Sequence, residues 1–243
     1  MFPTTRVAPP VKPLRFLLLA LGALALSPVL LAPAALHARA APAKDWTRTV
    51  TRTAEGAHVL GNPAAKHRLV EYVSYTCPHC AHFVAEGTGP LKSGWIARGT
   101  LAVEVRNLVR DRFDMTAALL ARCGGAARFF GNHEALFANQ DAWLDKARAY
   151  KPALPANASQ AAAMADIADR TGLFALMEKR GVTPAQGRAC LADAAALEQV
   201  LAMTRRAVEQ DGVQGTPSFL VDGKLTQAHD WAGLRPLLPA TPN

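Results

Sequence analysis

Cys77-Pro78-His79-Cys80 sets two thiols close together, directly after the apolar run Leu69-Val70-Glu71-Tyr72-Val73-Ser74-Tyr75. At a strand-to-helix junction such a pair reads as a redox couple, because disulfide exchange proceeds by thiolate attack and needs a second thiol to resolve it. If a helix begins at Cys77, its sulfur lies beside unpaired amide hydrogens and the positive end of the helix dipole. Pro78 suits the first helical turn, where its missing donor costs nothing. His79 can add a hydrogen bond or positive charge to the same sulfur. Each of these favours the thiolate, and a more stable thiolate makes a more oxidising disulfide. Cys77 is therefore expected to be the nucleophile and Cys80, one turn inward, the resolving thiol.

Other chemistries fit the tetrapeptide less well. A C-x-x-C can be a static staple. Zinc wants four ligands, and His79 and His82 are the only nearby additions, so no metal site is expected. Haem attachment needs a histidine directly after the second cysteine, where Ala81 stands. Far downstream, Gly212-Val213-Gln214-Gly215-Thr216-Pro217 leads into a second apolar run, Ser218 to Val221, and reads as a loop facing the thiols.

The elements that must hold these groups are partly legible. Ala41 to Gly56 is polar and threonine-rich and reads as a linker or short edge strand. After the Gly61-Asn62-Pro63 turn, Arg68 to Tyr75 reads as a buried strand of the kind parallel sheets use. Helical spacing follows through Phe83 and Val84, with a break or kink expected at Gly87-Thr88-Gly89-Pro90. Leu101 to Val109 is the next strand, which completes a βαβ unit. From Asp114 the chain turns alanine-rich and helical: Asp114 as a cap, His133 to Arg148 as one helix, and Ser159 and Asp193 as caps of two more. Ser218 to Val221, the Asp222-Gly223 turn and Lys224 to Gln227 read as a hairpin, followed by a short helix from Asp230 to Leu238.

The N-terminus reads as an export signal. Arg6, Lys12 and Arg15 precede an apolar core, Phe16 to Leu26, and Ala38-Arg39-Ala40 offers a cleavage site. An uncleaved anchor is the alternative, weakened by Pro28 and Pro33. The chain carries +8, and removing residues 1–40 takes four basic and no acidic residues, leaving +4. So modest an excess does not point to nucleic acid. An exported protein meets an oxidising compartment, where disulfides are the default for its four cysteines.

The tetrapeptide and the Gly-Val-Gln-Gly-Thr-Pro stretch together resemble the DsbA-like branch of the thioredoxin superfamily, over roughly Arg68 to the C-terminus. The resemblance implies an α/β thioredoxin fold with a helical domain inserted between its βαβ and ββα halves. In this chain that means residues 58–113 and 212–243 for the thioredoxin part and 114–211 for the insert, with 41–57 as the linker or edge strand. It implies a periplasmic enzyme that passes its Cys77–Cys80 disulfide to reduced or unfolded exported proteins, reoxidised by a DsbB-type membrane partner and needing no cofactor. Gly215, Thr216 and Pro217 match the cis-proline loop that receives substrate beside Pro78 and His79. Glu71 matches the buried acid that relays the Cys80 proton, unless it faces outward. Cys123 and Cys190 match a second disulfide of some members, with two free thiols as the alternative. A reductase or isomerase, or a non-catalytic metal-binding or chaperone module, are the rival functions. His133, His229, Trp143 and Trp231 carry no functional signal.

Overall fold

In a computed structural model, which describes residues 44–240, six strands build one mixed sheet. They are β1 (Val50–Arg52), β2 (His58–Leu60), β3 (His67–Val73), β4 (Leu101–Asn107), β5 (Ser218–Val221) and β6 (Lys224–Leu225), in the spatial order β1-β2-β4-β3-β5-β6. The central pair, β3 and β4, is parallel, with Glu71 opposite Val105. β5 runs antiparallel to β3, with Phe219 opposite Glu71. Nine helices accompany the sheet among the described residues: α1 (Pro78–Leu91), α2 (Arg112–Ala121), α3 (Ala126–Ala138), α4 (Gln140–Arg148), α5 (Gln160–Arg170), α6 (Leu173–Glu178), α7 (Pro184–Leu191), α8 (Ala194–Glu209) and α9 (Trp231–Leu234). The expected export signal lies outside the described residues. The fold is the expected one: a βαβ half, a helical insertion, then a ββα half.

Side chains alternate across a strand, and β3 divides the core accordingly. Leu69 and Val73 join the large core under α1, while Val70 and Tyr72 pack on the opposite face with Ala207, Val213 and Leu220. Glu71 shares the parity of Leu69 and Val73, so its carboxyl is directed to the α1 side. Within the insert, α2 is buried along almost its whole length and packs against α3, α5, α7 and α8. α3 in turn lies against α1. Cys123 and Cys190 are joined by a disulfide that ties the end of α2 to α7.

Several local expectations need correction. The Gly87–Pro90 stretch does not break α1, which runs through it and continues into a π-helical turn over Lys92–Ile96. Gly87 is there for close packing: a Cβ would come within 3.1 Å of Trp231 and 3.2 Å of Phe83. Pro90 falls in the last α-helical turn, close to the change of hydrogen-bond pattern. The cap of α2 is Asp111, whose side chain accepts from the Phe113 and Asp114 amides, and Asp114 is buried inside the first turn. The single helix expected over 133–148 is two, α3 and α4, interrupted where Asn139 leaves the helical conformation and its side-chain amide caps the Ala135 carbonyl. Helix α7 opens on a reciprocal capping box of Thr183 and Gln186 with Pro184 in its first turn.

Candidate redox site at the start of α1

β3 ends at Val73, and three residues, Ser74 to Thr76, carry the chain to Cys77, the N-cap of α1. This turn is held from three sides. Its own backbone closes through the Cys77 amide, which donates to the Ser74 carbonyl at 3.1 Å. From α2, the buried carboxylate of Asp114 accepts from the Tyr75 amide at 2.7 Å, the Ser74 hydroxyl at 2.5 Å and the Arg110 amide at 3.1 Å. From α4, the buried Gln140 amide donates to the Tyr75 and Cys77 carbonyls at 2.8 and 2.9 Å. Arg110 adds bonds to the Ser74 and Thr76 hydroxyls. Asp114 and Gln140 had no signal as site residues, because nothing near them in sequence shows which backbone they meet.

Cys77 and Cys80 are free thiols. The Cys77 thiol is pulled down to about 4: its hydrogen bond with Cys80 is the largest cause, helped by Thr216 and by the Cys80 and His79 backbone amides, against an opposing effect of burial. These are the orphan donors of a helix N-terminus acting on an anion. Burial pushes the Cys80 thiol well above its ordinary value, and the Cys77 and Glu71 charges push it the same way. The pair is thus electrically asymmetric, with the charge on the outer sulfur. His79 contributes through its backbone amide, while its side chain is exposed.

Cys77 is less open than the sequence suggests, at 3% exposure. The cover is the loop before β5: the Thr216–Pro217 peptide is cis, and the Cys77 thiol donates to the Thr216 carbonyl at 3.2 Å. The Thr216 hydroxyl is buried with no hydrogen-bond partner among the described residues; because the Thr216 side chain helps lower the Cys77 thiol, the Cys77 thiolate is its natural acceptor. Thr216→Val removes that donor while keeping the shape. A hydrogen bond to a charged group contributes about 1.5–3 kcal/mol, so Cys77 is expected to titrate at least about one pH unit higher. Thiolate ultraviolet absorbance against pH checks this. His229, which the sequence left without a role, lies 2.9 Å from the Pro217 carbonyl through Nδ1 and braces the same loop from behind. Gly215 accepts the Ser218 hydroxyl on its carbonyl, 2.8 Å away.

Glu71 faces inward. It is 3% exposed, Oε1 has no partner, and burial raises its carboxyl to about 8. It is therefore protonated at neutral pH and stands where it influences Cys80. The geometry brings together Cys77, Pro78, His79, Cys80, Thr216 and Pro217 at the C-terminal end of the interior strand β3, with Glu71 on that strand.

A family model described as Thioredoxin matches residues 53–240. A solved structure described as a protein-disulfide isomerase from Novosphingobium aromaticivorans is 43% identical, covers 74% of this chain and 94% of that one, and superposes with a TM-score of 0.69. The fold is shared with alpha-DsbA1 of Wolbachia pipientis, at 22% identity, 71% and 79% coverage and a TM-score of 0.56. A curated Rickettsia bellii protein named "Putative protein-disulfide oxidoreductase" is 32% identical over 170 residues, which are 70% of this chain. The match spans 58% of that relative's length. With most of its length matched by that model and a cis-proline loop set against a C-x-x-C helix start, the chain belongs to the thioredoxin family, in the form that carries a helical insertion.

Proposed function

We propose that this protein is a periplasmic thiol:disulfide oxidoreductase that donates the Cys77–Cys80 disulfide to exported proteins. The observation that carries the reading is the depressed thiol of Cys77, set by its helix-start amides and by Thr216. A substrate thiolate attacks the Cys77 sulfur, and the electron pair of the broken bond goes to Cys80. That sulfur is buried and holds a proton well above its ordinary range, so it takes one from Glu71, which is protonated at neutral pH. A second substrate thiolate then attacks its partner sulfur in the mixed disulfide. The substrate leaves oxidised, and Cys77 leaves as the stable thiolate.

Substrate must displace the Thr216 contact to reach Cys77. Space for an extended chain lies beside it: a groove of about 260 Å³ runs from Pro78 past His82 and Phe137. It adjoins a larger one of about 500 Å³ between α1 and α3. The apolar side chains Val84, Ala85 and Phe137 line that larger groove, which suits unfolded polypeptide. Export through a cleavable signal ending at Ala40 and reoxidation by a DsbB-type membrane partner complete the reading.

Disulfide isomerisation or reduction is the second reading, favoured by the name of the Novosphingobium relative. The equilibrium of the Cys77–Cys80 couple against glutathione separates the two. An oxidising couple is expected, reduced by glutathione at concentrations where thioredoxin's would stay oxidised. A couple as reducing as thioredoxin's, about −270 mV, would falsify the donor role.

A further inference from the structure

The loop that meets Cys77, Gly212 to Pro217, is fastened at both ends by side chains that form no hydrogen bond with either cysteine among the described residues. At its start, on the face of the sheet opposite α1, the Asp211 carboxylate gathers three donors on Oδ2. The Tyr72 hydroxyl lies 2.6 Å away, Arg106 Nη1 2.8 Å and Arg206 Nε 3.3 Å. Tyr72 belongs to β3, Arg106 to β4 and Arg206 to α8, so one carboxylate ties three elements to the root of the loop. Asp211 and Arg106 are 11% and 14% exposed, which spares their pair the screening that makes surface ion pairs weak. Two residues on, the Val213 amide donates to the Ala207 carbonyl at 2.7 Å, and the Val213 side chain is buried with Tyr72 and Ala207.

At the other end, the Pro217 carbonyl lies 2.9 Å from His229 Nδ1. A carbonyl only accepts, so Nδ1 carries the ring hydrogen and donates. His229 precedes Asp230, the cap of α9, and Trp231 of that helix packs on Phe83 and beside Gly87 of α1. The end of the loop is thereby referred to the helix that begins at the cysteines. Between the two fasteners the chain is free: Gly212 and Gly215 leave the backbone many conformations, and Gln214 is exposed. The bond from the Ser218 hydroxyl to the Gly215 carbonyl closes the loop on itself and leaves its place over Cys77 to the ends. Yet Thr216 must stay within hydrogen-bond distance of the Cys77 sulfur, where its carbonyl now lies at 3.2 Å.

We propose that Asp211 and His229 are positioning residues for the redox reaction, which act through the loop to set the contact between Thr216 and the Cys77 sulfur. Neither takes part in making or breaking a bond. The titratable groups that face Asp211 are Tyr72 from β3, Arg106 from β4 and Arg206 from α8; Glu104 of β4 and Arg68 of β3 continue the network behind Arg106. Two routes by which Asp211 could influence Cys77 have opposite signs. Through space, neutralising a carboxylate favours the thiolate and lowers the Cys77 midpoint. Through the loop, a weakened fastener lets Thr216 move off the sulfur and raises it. The geometry favours the second route, because Asp211 lies across the sheet and faces two guanidinium groups that balance its charge.

The proposal rests on the redox reading above, and one set of titrations separates the two. Thiolate absorbance of the reduced protein is followed against pH, with the glutathione equilibrium as a second readout. A wild-type Cys77 midpoint like that of an ordinary cysteine overturns the redox reading before any variant is compared. Given a depressed wild-type midpoint, D211N, Y72F and H229A are each expected to raise it by about half a pH unit. Each should also move the glutathione equilibrium about threefold toward oxidised protein, since a less stable thiolate makes a less oxidising disulfide. Y72F changes no charge at neutral pH and keeps the ring in the core, so it tests the same end of the loop should D211N fail to fold. H229N places an amide donor where Nδ1 stands and should keep the wild-type midpoint. T216V combined with D211N should shift no further than T216V alone, because both act through one contact. A midpoint unchanged or lowered in folded D211N or Y72F, unchanged in H229A, or raised as much in H229N as in H229A, overturns the proposal. So does a double variant in which the two shifts add.

Discussion

Reduced protein is expected to lose about 4 kcal/mol of stability between pH 7 and pH 4, over and above any loss in the oxidised form. The cause is Cys77 alone. In the folded reduced state its thiol titrates at about 4, against an ordinary value of 9. A group whose folded pKa is depressed contributes fully above the unfolded value. Its contribution declines as pH falls below about 9 and is nearly gone at about 4. Three pH units at about 1.4 kcal/mol each give the figure. Cys80 remains protonated across this window, and Glu71 is present in both redox forms, so neither alters the difference to first order. In the disulfide Cys77 does not titrate, which is why the oxidised protein serves as the reference. Urea titrations of both forms across pH 3 to 8 measure it. Parallel pH dependences would place the charge elsewhere and remove the basis of the oxidising couple. The same energy, read as a potential, is roughly 90 mV at pH 7, at about 30 mV for each tenfold change.

The second large effect separates the two cysteines. Cys77→Ser is expected to abolish both insulin reduction and oxidative refolding of a reduced substrate, since a hydroxyl neither ionises here nor forms the mixed disulfide. Cys80→Ser leaves the nucleophile and its stabilising amides in place, although it removes the largest hydrogen bond to the thiolate. The Cys77 midpoint therefore rises, yet the variant still forms mixed disulfides and cannot release them intramolecularly. Non-reducing gels of the two variants after incubation with disulfide-bonded insulin show the contrast, because the Cys77 thiolate attacks the insulin disulfide and one insulin sulfur leaves as a thiol: an accumulated adduct for Cys80→Ser and none for Cys77→Ser. Equal adduct formation by both would mean that the inner sulfur attacks substrate. The burial and opposite displacement of the Cys80 thiol argue against that.

How far the sequence reaches follows from the range over which each constraint acts. The tetrapeptide, the strand before it and the proline at the first helical position are local, and local chemistry is enough to read a helix start with a favoured thiolate. The βαβ and ββα halves are legible for the same reason, as runs of strand and helix periodicity separated by turns. Asp193 and Ser159 were readable as caps because a cap bonds amides two or three residues away. Asp114 was read as a cap on the same logic and is not one: Asp111 takes that position, which frees Asp114 to hold the turn before Cys77.

What stayed hidden is the set of contacts that cross the fold. Gln140 reaches the Tyr75 carbonyl across 65 residues, and His133 meets the Tyr75 hydroxyl across 58. A buried amide or imidazole has no periodic signature, since its partner is chosen by how helices α3 and α4 lie against α1. The same holds for Glu71. Alternation along β3 allowed it to face inward, but its raised pKa depends on the apolar walls that β4, β5 and α1 close around it. Residue order thus specified which atoms could react, while packing between distant segments set their charge, their cover and their access to protons.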